Sequence, residues 1–157
     1  MAGCCYDLPM LPNRSVPTDV VLPHIFYLNV VEAIPWLTRA FGFTEYFRYG
    51  EPVQGAQMRL GNAWIMLAEA GRPGRASPAQ SGIRSQMLSI FVEDVDAHFV
   101  RAKSAGARIV EELNETMYGE YQYVAEDLEG HPWLFSKHVR DVSPSEWGAI
   151  IDNHWDG

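Results

Sequence analysis

The sequence is poor in cysteine, in basic residues and in long apolar runs, and each shortage excludes a class of protein. Its two cysteines, Cys4 and Cys5, are adjacent. Because neighbouring cysteines rarely reach disulfide geometry, we expect a reducing compartment, the cytoplasm. Twelve lysines and arginines stand against twenty aspartates and glutamates, a net charge of −8 with no basic cluster, so we expect no nucleic-acid partner.

Membrane segments and common catalytic motifs are also missing. No run approaches the roughly 18 apolar residues of a transmembrane helix, and residues 1–14 lack the basic and apolar regions of a signal peptide. We therefore expect no membrane partner. The chain has no GxGxxG, Walker-type loop, CxxC, HExxH or GxSxG, so no motif assigns a nucleotide, a zinc ion or a serine nucleophile.

What is present is an internal repeat. Residues 20–70 contain a strand-like run, "VVLPHIFYLNV", then the helical "EAIPWLTRAFGF" and three short strands separated by glycines. Residues 71–85 form a linker rich in Gly, Ser and Pro. Residues 86–139 then repeat the same order of elements. The pattern predicts two βαβββ modules, and Pro35 indicates that the first helix begins at Ala33 or Ile34.

Two alignments relate the modules to each other. Asn29 and Asp94 occupy the same place between strand and helix. "GNAWIML" from residue 61 parallels "GHPWLFS" from residue 130, which aligns Trp64 with Trp133 and predicts that both tryptophans pack under the helices.

The repeat predicts an α+β fold. We expect each module to bury one sheet face against its helix, so that the two other faces can together wall a cavity. A single domain would span residues 19–149, with a short C-terminal helix at 143–149. Residues 1–18 would form an N-terminal arm and residues 150–157 a tail.

Three segments carry a resemblance to a known family: "HIFYLNVVEAIPWLTRAFGF", "FVEDVDAHFVRAKSAGA" and "YGEYQYVAEDLEGHPWLFSKHV". They resemble the vicinal-oxygen-chelate superfamily, which includes glyoxalase I, bleomycin-resistance proteins and extradiol dioxygenases. The ending "RDVSPSEWGA" is similar to an uncharacterised glyoxalase-like branch. The resemblance covers residues 20–149 and implies that the paired modules form a curved eight-stranded mixed sheet around a cavity, with the helices on the outer face. It also implies a homodimer, with the modules paired within one chain or swapped between two.

The resemblance implies four metal-ligand positions, one on the first and one on the fourth strand of each module. Carried onto this chain, they fall on Leu22, Ile65, Met87 and Leu134. Apolar side chains cannot bind divalent transition metals at useful affinity. We therefore expect a metal-free cup with no cofactor. The alternative is a divalent metal such as Zn, Ni, Mn or Fe at a displaced site.

Strand alternation predicts which side chains share the face of these four positions. They are His24 and Phe26 on the first strand, Leu67 and Glu69 on the fourth, and Ser89 and Phe91 on the fifth. Gln57 could orient a ligand or face solvent. Tyr121 and Tyr123 share a face of the seventh strand and could clamp a flat ligand or belong to the core.

His24 and Glu69 are the two ionisable residues in phase with the predicted cavity. A histidine beside a carboxylate can act as a general base, and the pair is our candidate catalytic site. The same two residues could hold the displaced metal. The alternative places Glu69 at a solvated strand end and His24 on a backbone carbonyl.

Two further histidines have structural interpretations. His131 follows Gly130 between two strand-like runs and could be a metal ligand, a base or a turn residue; we predict a turn residue with a locally hydrogen-bonded ring. His98 lies beside the apolar stripe of the second helix and is predicted to pack there.

Two functions therefore remain. The first is a protein that sequesters or carries a small, partly aromatic organic molecule. The second is a lyase, isomerase or epimerase of the glyoxalase-like branch. Whether the chain is an enzyme stays open from sequence.

Overall fold

The computed structural model describes residues 21–151, so the predicted N-terminal arm, residues 1–18, and most of the tail lie outside the described residues. The eight strands are β1 (His24–Tyr27), β2 (Thr44–Tyr49), β3 (Gly55–Leu60), β4 (Ala63–Glu69), β5 (Leu88–Phe91), β6 (Arg108–Glu115), β7 (Glu120–Glu126) and β8 (Pro132–His138). The helices are α1 (Val30–Phe41), α2 (Pro78–Ser81) and α3 (Val95–Ser104), followed by a 3-10 turn at Pro144–Trp147.

Hydrogen bonds group the strands into two four-stranded mixed sheets. Their orders are β1-β4-β3-β2 and β5-β8-β7-β6. In each sheet the first and last strands of the module are parallel, and the other neighbours are antiparallel. The parallel pair needs a crossover connection, which α1 and α3 begin. The predicted α+β fold of two tandem βαβββ modules is confirmed. We call residues 24–69 module one and residues 88–138 module two.

The two long helices begin in the same way. The Asn29 side chain accepts a hydrogen bond from the Glu32 amide at the start of α1, and the Asp94 side chain accepts one from the Ala97 amide at the start of α3. α1 begins at Val30, earlier than predicted, and contains Pro35. Proline has no N–H, so the Val31 carbonyl, four residues earlier, lacks its usual helical hydrogen bond. Pro35 and Val31 both lie on the exposed side of α1, so this carbonyl lies on the hydrated side.

The modules share one hydrophobic core, because α1 and α3 pack against each other. Phe41 at the end of α1 lies 4.8 Å from Phe135 and 5.7 Å from Trp133 between ring centroids. Phe43 lies 5.5 Å from Trp133. Aromatic pairs at these distances add stability beyond their buried area. The core therefore joins module one to β8 of module two.

His98 packs inside this shared core, as its place on α3 predicts. Its Nδ1 lies 2.6 Å from the Tyr123 hydroxyl and its Nε2 lies 2.9 Å from the Phe41 carbonyl oxygen. Burial lowers the pKa of His98, because a charged imidazole loses its hydration there. His98 is thus a neutral bridge between the two modules.

The alignment of Trp64 with Trp133 is wrong by one residue. His24 pairs with Met66 and Ser89 pairs with Leu134. Because His24 and Ser89 stand at equal distances before the helix caps, Met66 corresponds to Leu134. The cause is the turn: residues 61 and 62 join β3 to β4, whereas residues 127–131 join β7 to β8.

A shift of one residue moves a side chain to the other face of a strand. Trp133 is 1% exposed beneath the helices, where the sequence placed it. Trp64 lies on the opposite face, half-buried, against Tyr46 and the Arg59 guanidinium.

No helix within residues 21–151 is long and apolar enough to cross a membrane.

Candidate functional site

A cavity of about 350 Å³ lies on the face of module one opposite the helices, at the junction with module two. His24 and Phe26 of β1 form one wall. The linker supplies a second wall through residues 74–86, including Pro78 and Ile83. His131 and Pro132 close the third side. The cavity therefore depends on both modules and on the segment between them.

Two of the side chains predicted from sequence, His24 and Phe26, come together in this cavity. The linker was not expected to line it, because a segment rich in Gly, Ser and Pro predicts only a connection. In the structure the linker contains α2, whose start is capped by Ser77. Arg84 pairs with Glu126 of β7, which holds the linker against module two.

Glu69 and Leu67 do not join His24, which corrects the predicted His24–Glu69 pair. Leu67 pairs with Ile25 and Glu69 pairs with Tyr27 across the parallel strands, so both point to the other side of the sheet. Leu67 is fully buried in the core. Glu69 lines a separate recess of about 40 Å³ with Arg72 and Arg75. The prediction failed because it rested on the alignment of Trp64 with Trp133, which placed the side chains of β4 one residue out of register.

Tyr121 and Tyr123 belong to the core face of β7. Tyr123 is fully buried, contacts His98, and its pKa is raised by burial. Tyr121 is half-buried and packs against the same core. The face of β7 away from the helices instead carries Glu120 and Gln122. The tyrosine pair is therefore core, one of the two alternatives that the sequence left open.

Ser89 and Phe91 lie away from the helices but outside the first cavity. Both are exposed, and Phe91 keeps 64% of its surface accessible. They line a wider cleft of about 750 Å³ between β5 and the β3–β4 turn. They form a surface separate from His24 and Phe26.

Gln57 is buried on the same side of module one as His24, since both pair with Met66. It is 1% exposed, and its Nε2 lies 3.6 Å from the Met66 sulfur. Its Oε1 is the one buried side-chain polar atom without a partner among the described residues. An unmet acceptor of this kind costs roughly 1–3 kcal/mol.

The metal-ligand positions implied by the resemblance do not fit a metal. With the register corrected, the fourth-strand position of module one is Met66 instead of Ile65, so all four side chains are still apolar: Leu22, Met66, Met87 and Leu134. Within residues 21–151, no three His, Cys, Asp or Glu side chains group so that they could hold a metal ion. The donor set at these positions therefore offers no Lewis-acid chemistry.

His131 lies in the β7–β8 turn, residues 127–131, which we call the inter-module turn. Its backbone N–H donates to Asp127 Oδ1, and its Nε2 lies 2.9 Å from the Phe26 carbonyl oxygen. Its ring also stacks edge-on against Tyr27, with centroids 4.7 Å apart. His131 is a turn residue, but its ring bonds to module one and not to its own neighbours.

Two buried carboxylates of the inter-module turn also form hydrogen bonds with the end of β1 and with the two residues after it. Asp127 accepts hydrogen bonds from the Tyr27 hydroxyl at 2.6 Å and from the Trp133 indole at 3.1 Å. Glu129 accepts from the backbone N–H groups of Leu28 and Asn29 at 2.8 and 3.0 Å. Burial raises the pKa of Asp127, and the nearby His131 opposes that rise. Residues 26–29 are thus held by one turn of module two.

Comparisons with known proteins agree with this architecture. Residues 22–135 match the family model described as Glyoxalase/Bleomycin resistance protein/Dioxygenase superfamily. The crystal structure of TioX from Micromonospora sp. ML1 is 33% identical, with a TM-score of 0.65 over 75% of this chain and 97% of that chain.

Two further relatives are more distant in sequence. A glyoxalase/bleomycin resistance protein/dioxygenase family enzyme from Burkholderia phytofirmans PsJN has a TM-score of 0.62 at 21% identity, over 75% of this chain and 97% of that chain. An uncharacterised protein of Mycobacterium tuberculosis is 29% identical over 144 residues, 86% of this chain and 84% of its own length.

Proposed function

The chain belongs to the glyoxalase/bleomycin resistance protein/dioxygenase superfamily, and we propose that it binds a small, partly aromatic organic molecule. The binding site is the cavity between β1, the linker and the inter-module turn. The role would be sequestration or carriage of that molecule. The observation that carries this proposal is a preformed cavity of about 350 Å³ with an aromatic wall, Phe26, and a few polar groups around it.

The size and lining of the cavity support a small ligand. Ligand cavities usually measure about 300–1,000 Å³ and combine apolar walls with a few polar groups, so this one suits a compact molecule. Phe26, Pro78 and Ile83 offer apolar surface, while His24 and Ser85 offer hydrogen-bonding groups. The apolar residues at the expected metal positions favour binding over metal-assisted chemistry.

A matched pair of linker substitutions tests the site. Ala76 and Ala79 are both exposed, but only Ala76 lines the cavity. Wild type is screened by thermal unfolding against a library of one- and two-ring aromatic compounds, and the affinities of the hits are then titrated. We expect Ala76→Phe to weaken the hits at least about tenfold, and Ala79→Phe to leave them unchanged. Equal affinity in both variants would place the ligand elsewhere.

One observation favours an enzyme as the second candidate. The His24 imidazole lines the cavity, where it could take a proton from a bound substrate in lyase, isomerase or epimerase chemistry. Its test is turnover of any compound that the cavity binds, measured for wild type and His24→Ala. Turnover that is lost in His24→Ala at unchanged affinity would favour the enzyme, and binding without turnover would favour sequestration or carriage.

We also propose that the protein forms a homodimer. Phe91 of β5 is 64% exposed, and Met87, just before β5, is 46% exposed. β5 is an edge strand of its sheet. Exposed apolar residues on a sheet edge commonly mark a contact surface. Light scattering should give twice the chain mass, and Phe91→Glu should reduce it to the monomer. A monomeric wild type would overturn this proposal.

A further inference from the structure

Arg75 lies against Phe26, which forms one wall of the cavity, and itself lines the small separate recess. Arg75 ends a tight loop of residues 71–75, in which the Gly71 N–H donates to the Arg75 carbonyl and the Arg75 N–H donates to the Arg72 carbonyl. The Arg75 guanidinium carbon lies 5.3 Å from the centre of the Phe26 ring. The neighbours of Arg75, Gly74 and Ala76, both line the cavity. The half-buried Arg75 therefore has its backbone held by this loop and its side chain against the aromatic wall.

No described carboxylate lies within ion-pair distance of Arg75. Four other arginines form ion pairs with glutamates: Arg48, Arg84, Arg108 and Arg140. Glu69 shares the small recess with Arg72 and Arg75, yet among residues 21–151 neither arginine has a carboxylate oxygen within 4.0 Å. Arg72 donates to Gln54 instead.

Arg75 has no ion pair among residues 21–151, although the chain has twenty acidic residues against twelve basic ones. Arg84, which lines the cavity, is occupied by Glu126. Arg75, which lies behind the Phe26 wall of the cavity, therefore keeps its planar group of donors open to a ligand that reaches past Phe26.

We propose that the cavity selects aromatic ligands that carry a carboxylate or a comparable planar anion, with the ring against Phe26 and the anion on Arg75. This inference rests on the proposed small-molecule binding. A guanidinium binds a carboxylate through two parallel hydrogen bonds, and contact with Phe26 limits the orientations of Arg75 in advance. A neutral amide of the same shape cannot form that charged pair.

The test compares 2-naphthoate with 2-naphthamide, which share a ring system and differ in charge. Affinities are titrated by calorimetry on the full chain as wild type, Arg75→Gln, Arg75→Lys and Arg59→Gln. Arg59 is the matched control, because it also lies over an aromatic ring, Trp64, but not at the cavity. We expect wild type to prefer the naphthoate roughly ten- to hundredfold. Arg75→Gln should abolish the preference, Arg75→Lys should keep part of it, and Arg59→Gln should keep all of it.

The outcomes separate this inference from the proposed function. Equal binding of both compounds by wild type, lost in Ala76→Phe, would overturn anion selection and keep the cavity as a binding site. A naphthoate preference that survives Arg75→Gln would assign the anion to another residue and overturn the role of Arg75. Binding of neither compound at up to about 10 mM probe would overturn the anionic aromatic class, and the library screen would then judge binding itself.

Discussion

The β3–β4 turn of module one and the inter-module turn of module two occupy the same place in the repeat but differ in what they hold. Gly61 and Asn62 are exposed, and together they only reverse the chain. The inter-module turn is longer and carries two buried carboxylates that bond to β1 of the other module. The comparison shows where the two modules differ: the turn of module one is a plain hairpin, and the turn of module two is an inter-module contact.

The largest expected effect separates the two tryptophans that follow these turns. Trp133→Ala should lower the free energy of unfolding by about 3–5 kcal/mol, because it opens a cavity in the shared core. Trp64→Ala should cost less than about 1.5 kcal/mol, since Trp64 is half-exposed on the other face. Urea unfolding of both variants measures the difference. Equal losses would contradict the register of β4.

The next effect compares the turns themselves. Asp127→Ala removes an acceptor that serves the Tyr27 hydroxyl, the Trp133 indole and two backbone N–H groups, so we expect a loss of about 3 kcal/mol. Asn62→Ala, in the exposed turn of module one, should stay within about 0.5 kcal/mol of wild type. Urea unfolding monitored by tryptophan fluorescence gives both values. An Asp127→Ala protein as stable as Asn62→Ala would show that the inter-module turn does not hold β1.

A third difference concerns the helices, where His98 of α3 corresponds to Ala33 of α1. Because the folded-state pKa of His98 is lowered, the unfolded chain binds the proton first as pH falls. Stability should therefore be complete above pH 6.5 and fall below it, by at most about 1.4 kcal/mol per pH unit. His98→Gln keeps a hydrogen-bonding amide but cannot titrate, so its unfolding free energy should lack this fall. Parallel urea titrations from pH 7.5 to 5 test it, and identical slopes would contradict a neutral buried His98.

The smallest expected effect comes from a substitution that makes module one resemble module two. Gln57 pairs with Met66 where Val124 pairs with Leu134, so Gln57→Val copies the residue of the second module. Removal of the unpaired Oε1 should raise the free energy of unfolding by about 1 kcal/mol. Gln122→Val is the control, because Gln122 has no fully buried atom without a partner. A loss of stability in Gln57→Val would mean that the amide has a partner in solution.

Much of the fold follows from local pattern. The strand-helix order and the repeat itself depend on residues close in sequence, and the structure agrees with both, although the first helix begins at Val30 instead of Ala33 or Ile34. The register of β4 was missed because the glycine and tryptophan of the two modules can be aligned although their turns differ in length. This error of one residue was enough to place Leu67 and Glu69 on the wrong face of β4.

The site was harder to predict because it is built from distant segments. Alternation along β1 alone placed His24 and Phe26 correctly on the cavity side. Nothing in the composition of the linker indicated that it would cover Phe26 or bring Arg75 to it. The bonds from the inter-module turn to β1 have no local sequence signal, although two acidic residues around a turn, Asp127 and Glu129, could have marked it as more than a connection.

The grip of the inter-module turn on β1 also sets an order for events during synthesis. Tyr27 and Asp127 are 100 residues apart, and Phe26 and His131 are 105 apart. A ribosome makes the chain from its N-terminus, so β1 leaves the ribosome long before the residues that fix its end exist. Contacts of such long sequence separation slow folding, because a large loop must close first. The end of β1 therefore gains these hydrogen bonds only after the inter-module turn has been made.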